Sequence, residues 1–286
     1  MKNIIITACD EKYGDFLINH WLKSLKDNVD LKNIDVAVID YGLNKKQKEI
    51  LKKEKVILIK KKKSGQVGNI RIKDCANWLK NKRYKYVLFC DGWDIIFQTD
   101  LKELFDKKPK KPMLSYDDSN LLFQPYINPV YFRLKNIPKI QKMLLKKRML
   151  NVGVIFGPKK EIIKLFEKSF KLIKNKNYYG AEQIAINYFA YKEGFEELDQ
   201  RFNCMPLCTK IKFHIKEGKF YDEKNNIIPI IHNAGKEKFI RGIKNFGYGK
   251  NHNKLKTINR LISKAIFFLS SKIVRHQFSG SRTTNE

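Results

Sequence analysis

Two short stretches of this 286-residue chain gather side chains able to hold a charged ligand. The first is Tyr86-Val-Leu-Phe-Cys-Asp91-Gly-Trp-Asp94-Ile-Ile-Phe, where an apolar run stops at a carboxylate and a second carboxylate follows one turn on. Carboxylate oxygens are hard ligands, and such a pair can share a divalent cation that also carries phosphate oxygens. Asp-Gly is equally a turn dipeptide, so Asp91 alone fits a plain cap as well as a ligand. The second stretch is Ile230-Ile-His232-Asn-Ala-Gly235-Lys236-Glu-Lys238, again a polar residue straight after an apolar run. A neutral imidazole suits manganese-like ions as a third ligand. Gly235 lets the backbone approach a phosphate closely, while Lys236 and Lys238 offer ammonium groups to diphosphate oxygens. Asp91, Asp94 and His232 are thus the candidate metal ligands, and Gly235, Lys236 and Lys238 the candidate anion clamp.

These residues need a frame, and the apolar runs supply one. Residues 3–8, 34–39, 55–59 and 86–90 are continuous apolar runs of strand length, the pattern of strands buried on both faces of a mostly parallel sheet. Between the first two, Phe16, Leu17, Trp21, Leu22 and Leu25 recur at helical spacing, and a second helix is predicted over 70–82. The alternation predicts an α/β class: a doubly wound, Rossmann-like sheet flanked by helices. Ligands of such sheets bind outside the carboxyl ends of the strands, which is where Asp91 falls. Further on, strands are predicted over 113–116 and 150–156, helices over 159–173 and 181–192, and a last short strand over 228–231 ending at His232. The segment 117–149, with Pro125, Pro129 and Pro138, reads as a long irregular wall or lid.

The charge is +30, from 59 Lys+Arg against 29 Asp+Glu, which favours phosphate-rich or otherwise anionic partners. Much of the excess is lysine beside abundant asparagine and isoleucine, so charge constrains the partner only weakly. The chain divides into a domain over 1–250 and a basic tail over 251–286. In the tail, Ile258, Leu261, Ile262, Ala265, Ile266, Leu269 and Ile273 form one helical face. A basic amphipathic helix over 258–275 fits an anionic membrane interface, and fits equally a terminal helix packed on the domain. No apolar stretch is long enough to span a bilayer. The five cysteines, an odd count without a secretion signal, are expected as free thiols in a cytoplasmic protein, with the tail placing it peripherally on the inner face of a membrane. Cys204 and Cys208 lack the second pair a zinc site needs. His20, in the first helix beside Trp21, and His214, His252 and His276, which lack partners, read as surface or packing residues. No helix-turn-helix, zinc-finger or RNA-binding signature occurs, so no specific nucleic acid is expected. A basic nucleic-acid- or surface-binding protein without enzymatic activity is the rival reading, marked by binding that weakens steeply with salt.

The order of the motifs over roughly residues 3–250 resembles the GT-A fold glycosyltransferases. It is most similar to the retaining, sugar-nucleotide-dependent glycogenin and lipooligosaccharide galactosyltransferase group (family GT8). Asp91-Gly-Trp-Asp94 departs from that family's usual Asp-x-Asp and looks like the Asp-x-x-Asp of the collagen hydroxylysine glycosyltransferases. The resemblance implies a UDP-sugar donor, galactose or glucose, held by Mn²⁺ or Mg²⁺, and transfer with retention to a glycan, lipid-linked or protein hydroxyl. It implies that Ala8, Asp10 and Tyr13 touch the nucleotide and that Arg71 touches the donor. Leu150-Asn151-Val-Gly153 is similar to the strand beside the donor sugar, and Arg201-Phe-Asn-Cys-Met-Pro206 to a downstream family segment. Glu182 and Gln183 match the family's Asp-Gln, with Glu where Asp is usual, and Asp117 falls where a carboxylate often meets sugar hydroxyls. Two roles for Glu182 stay open: a nucleophile forming a glycosyl-enzyme intermediate, or a carboxylate that steadies charge while the acceptor attacks on the same face.

Overall fold

The strands follow from side chains that are apolar in both directions. Strand β1 (Lys2–Cys9) sends Ile4, Ile6 and Ala8 to one face and Ile5 and Cys9 to the other, and all five are buried. The computed structural model describes residues 1–117, 134–144, 147–235 and 241–256. Lys236, Lys238 and the basic helix read over 258–275 lie outside the described residues.

After β1 come β2 (Ile34–Asp40), β3 (Ile57–Lys60), β4 (Tyr84–Cys90), β5 (Ile95–Phe97), β6 (Met113–Tyr116), β7 (Leu150–Pro158) and β8 (Glu196–Glu197). Seven strands make one sheet in the order β3-β2-β1-β4-β7-β6-β8. Pairing is parallel from β3 through β4, while β7 runs antiparallel to both β4 and β6. The mixed, mostly parallel α/β sheet expected from the apolar runs is the one observed. Helices Val67–Lys80 and Lys159–Leu172 cover the face of Ile4, Ile6 and Phe89, where Phe89 meets Phe166 at 4.9 Å between ring centroids. Trp21 and Leu25 cover the opposite face, with Trp21 edge-on to Phe97 at 5.4 Å. Burying each large apolar side chain contributes about 1.5–3 kcal/mol, so the C-terminal ends of β1 and β4 are held rigidly side by side.

The helix read from Phe16 to Leu25 is longer than its apolar stripe. It runs as α-helix Glu11–Phe16, a π-helical stretch Leu17–Leu22 and α-helix Lys23–Asn28. Ser24 Oγ donates to Trp21 O and accepts from Phe97 N, fastening the helix to β5. Helix Lys45–Lys53 was not anticipated, because its lysines leave too few apolar residues to show a stripe. Its N-terminus carries a local signal nonetheless: Asn44 accepts from Gln47 N–H while Gln47 accepts from Asn44 N–H. The segment read as irregular over 117–149 contains helix Ile137–Leu144. Two further short strands, β9 (Phe213–Lys216) and β10 (Lys219–Asp222), pair as a hairpin. Strand β11 (Ile230–His232) pairs antiparallel with β5. His252, read as lacking a partner, meets His20 with ring centroids 4.8 Å apart, and His20 Nδ1 accepts from Tyr248 N–H at 3.0 Å. His214 stacks on Tyr221 across the hairpin. None of the five cysteines is in a disulfide, in line with the thiols expected.

Candidate functional site

The end of β4 is set by a backbone hydrogen bond from Asp91 N–H to Gly153 O, 2.8 Å long, so the carboxylate emerges where β4 leaves β7. Gly92 then turns against β1, where a Cβ would stand 2.7 Å from Thr7 Oγ1. Strand β5 follows at once, and its register with β11 places His232 opposite Ile95. Asn233 N–H donates to Asp94 O at 2.8 Å, locking the two motifs together. The outcome is a buried trio, Asp91, Asp94 and His232, with ligand atoms all within 4.8 Å of one another. His232 Nε2 lies 3.6 Å from Asp91 Oδ2 and 3.5 Å from Asp94 Oδ1.

Two arginines balance this charge, one at each carboxylate. The buried Arg71 guanidinium pairs with Asp91 Oδ1. Burial works against ionised Asp91, but Arg71 and then His232 outweigh it and hold the carboxyl below its ordinary range. For His232, burial opposes the imidazolium, yet Asp94 and Asp91 lift it to about 9. Arg241 Nη2 stands 3.6 Å from Asp94 Oδ2, and its Nε donates to Gly235 O at 2.9 Å. Asp94 Oδ1 is buried and makes no hydrogen bond. Buried carboxylate oxygens are normally satisfied, and a divalent cation among two carboxylates and an imidazole nitrogen would satisfy this one. The residues fit a manganese- or magnesium-like ion.

The trio forms part of the wall of a cavity of about 610 Å³, within the range of small-molecule sites. The same wall carries Asp10, Tyr13, Arg71, Asn151, Glu182, Gln183 and Gly235, so these expected site residues are brought together. Ala8 is not on the wall; it is buried within β1 beside the lining residue Cys9. Asp117 is also off the wall, buried with its N–H donating to Met149 O. Trp93 lines the cavity, its ring 6.0 Å from that of Tyr13 and 5.1 Å from the Arg71 guanidinium. Asp10 pairs with Lys63 at 2.8 Å at the same end.

Glu182 sits in the first turn of helix Ala181–Glu193, entered through Gly180 at φ +82°, which favours glycine. Its N–H donates to Asn69 Oδ1, and the Asn69 amide is held by Lys176 O and Tyr178 O. Burial raises the Glu182 carboxyl above its ordinary range against the pull of Arg71, and Oε2 has no hydrogen-bond partner. The carboxylate fits over Gly68, where a Cβ would come within 2.5 Å of Oε1. Gln183 Nε2 donates to Leu150 O, tying that side chain to β7.

Sequence reading missed Arg241, which has no motif spacing to mark it, and gave no role to Asn203 behind His232. It also passed over why Gly153 must be glycine: a Cβ there would stand 2.2 Å from His232 Cε1. Gly153→Ala is expected to push the imidazole out of line and weaken Mn²⁺ binding at least about tenfold, since supporting changes around metal ligands cost about 10–100-fold. Calorimetric titration checks this; an unchanged affinity would show that the ring has room to move.

No protein-family model matches the sequence, and no curated protein sequence does. Solved structures do match. An active-site mutant of LgtC superposes with a TM-score of 0.56 at 17% identity, over 99% of this chain and 97% of LgtC. The galactosyltransferase LgtC in complex with donor and acceptor sugar analogues gives 0.52 at 17% identity over the same shares. The glycosyltransferase GlyE of Streptococcus pneumoniae TIGR4 gives 0.50 at 16% identity, over 98% of this chain and 64% of GlyE. At such identities the likeness is one of fold, and this chain has the GT-A fold of LgtC.

Proposed function

We propose that this protein is a metal-dependent glycosyltransferase moving a hexosyl group, galactose or glucose, from a UDP-sugar to a hydroxyl acceptor with retention. The observation that carries the reading is the buried Asp91–Asp94–His232 trio, with its unsatisfied Asp94 oxygen, on the wall of a cavity at the strand ends of a GT-A sheet. The neighbour solved with donor and acceptor sugar analogues supports sugar transfer as the class of chemistry.

In this reading Asp91, Asp94 and His232 hold Mn²⁺ or Mg²⁺, which when bound supplies Lewis-acid stabilisation of the diphosphate. Asp10 and Tyr13 take the nucleotide end. Arg71 and Arg241, with Lys236 and Lys238, supply positive charge where the leaving phosphate gains negative charge. Asn151 and Gln183 orient the sugar from β7 and the helix beside it. The bond from the anomeric carbon to the phosphate oxygen breaks, a bond to the acceptor oxygen forms, and the acceptor proton leaves with the phosphate or to solvent. Glu182, a buried carboxylate with one unpartnered oxygen, serves either as nucleophile or as the charge that steadies the anomeric carbon. Asp117 and Ala8, off the wall, act through their neighbours. The acceptor is a glycan, lipid-linked or protein hydroxyl. No helix among the described residues is long and apolar enough to cross a membrane, and we place the chain peripherally on an anionic surface through residues 258–275.

The test is UDP release from UDP-galactose and UDP-glucose with and without Mn²⁺. Slow, chelator-sensitive hydrolysis of one donor is the expected result. Absence of both turnover and metal-dependent UDP binding would overturn the reading and favour a basic surface- or nucleic-acid-binding protein.

A further inference from the structure

Behind the trio lies a chain of amides whose orientation can be worked out from its anchored end. Gly153 N–H donates to Asn151 Oδ1 at 2.8 Å, and a backbone N–H has no other sense, so the Asn151 oxygen is fixed. Asn203 presents its amide to the same oxygen at 3.1 Å, and to Ser115 Oγ at 2.7 Å. Two amide oxygens would repel there, so the Asn203 NH₂ group must face Asn151 and its Oδ1 must face the other way. That oxygen lies 2.9 Å from His232 Nδ1. An acceptor at this distance requires the proton on Nδ1. Nε2 faces the space between Asp91 and Asp94, at 3.6 and 3.5 Å, so it is the nitrogen whose proton a cation there would replace and whose lone pair would then serve as ligand.

We propose that Asn203 is the positioning residue that makes His232 a cation ligand through Nε2, and that it couples this ligand to Asn151 on the sugar side of the cavity. The proposal rests on reading the trio as a metal centre. Asn203 is fully buried, at 0% exposure, and ends a 3₁₀ turn, Gln200–Asn203, whose start is fixed by Asp199 accepting from Arg201 N–H. The next residue, Cys204, is held on β11 by reciprocal backbone bonds, Cys204 N–H to Ile230 O and His232 N–H to Cys204 O. The asparagine therefore arrives at the imidazole on a backbone already bonded to the strand that carries it. Any shift of Asn151, as when a sugar hydroxyl competes for its oxygen, is passed through one amide to the metal ligand.

The experiment compares Mn²⁺ binding to full-length wild type, Asn203→Ala and Asn203→Asp by calorimetry. Asn203→Ala is expected to weaken Mn²⁺ about 10–100-fold. Asn203→Asp keeps the acceptor for Nδ1–H but sets an oxygen against Asn151 Oδ1, so it is expected to bind Mn²⁺ with an affinity between those of wild type and Asn203→Ala. A residue that merely fills space would lower thermal stability in both variants and leave affinity unchanged. Equal Mn²⁺ affinity in wild type and Asn203→Ala overturns the proposal. Should Asn203→Ala not fold, the wild type itself decides: nitrogen-15 correlation spectra of its Mg²⁺-loaded form must show the His232 proton on Nδ1, and a proton on Nε2 overturns the assignment. Wild type that takes up no divalent cation fails the metal reading itself, which distinguishes that failure from one confined to Asn203.

Discussion

If the protein is the metal-dependent transferase proposed, Asp94→Asn is expected to lower chelator-sensitive UDP release by about 10²–10⁴-fold and abolish saturable Mn²⁺ binding, while leaving the fold intact. The size follows from a bound cation contributing several kcal/mol to a departing diphosphate, at 1.36 kcal/mol per tenfold in rate. The substitution keeps the shape of the side chain, so backbone contacts such as Asn233 N–H to Asp94 O persist. What disappears is one negative charge beside His232 and Arg241, and with it the oxygen that makes no hydrogen bond. Chelator should reduce wild type to the level of the variant and have no further effect on the variant. A variant that still loses activity on chelation would show that the ion sits elsewhere. The exposed Asp106, paired with Lys102, is the matched control, and Asp106→Asn should change neither quantity.

The second large effect is on stability. Arg71→Met in metal-free protein leaves Asp91 buried without its guanidinium, and breaking a buried pair in this way costs about 3–5 kcal/mol. The same arginine also lies over the rings of Phe89 and Trp93, at 5.0 and 5.1 Å. Saturating Mn²⁺ should return much of the loss, because a cation at Asp91 replaces the missing charge and ligand binding to the native state alone stabilises it. Urea unfolding with and without Mn²⁺ measures both terms. Adding Asp91→Asn to Arg71→Met should recover stability in the metal-free state, a coupling that only a direct pair shows. If Arg71→Met unfolds at the wild-type midpoint without metal, the pair carries no weight in the native state.

The sheet was legible because its central strands are buried on both faces: four to six consecutive, mostly apolar residues bounded by polar ones leave few other structures open. The Asp91–Asp94–His232 trio was legible for a related reason. Asp91 and His232 each follow such a run directly, and strand ends in an open α/β sheet are where ligands gather. The contact that joins them was not legible. Strand β5 is only Ile95–Phe97, too short to show periodicity, yet its register with β11 is what sets His232 beside Asp94. Arg241 was missed because a lone arginine in so basic a chain stands out from nothing. Asn203 sat inside a quoted motif, but its role depends on the orientation of three amides, which exists only in three dimensions. Helix Lys45–Lys53 was hidden by lysines and declared only by its cap.

The bond from Tyr248 N–H to His20 joins residues 228 positions apart, and it closes the segment bearing Arg241 over the first helix. During synthesis the parallel strands β1 to β4 can pair while most of the chain is still unmade, since domains form from the N-terminal side and local contacts come first. The carboxylates of Asp91 and Asp94 are then present without the imidazole, the amide behind it or the second arginine. A cation met at that stage finds two ligands of three, so full affinity comes only with late closure of the chain. On the proposed metal reading, occupancy would thus report completion of the fold, and a chain truncated before His232 should take up less Mn²⁺ than the finished protein.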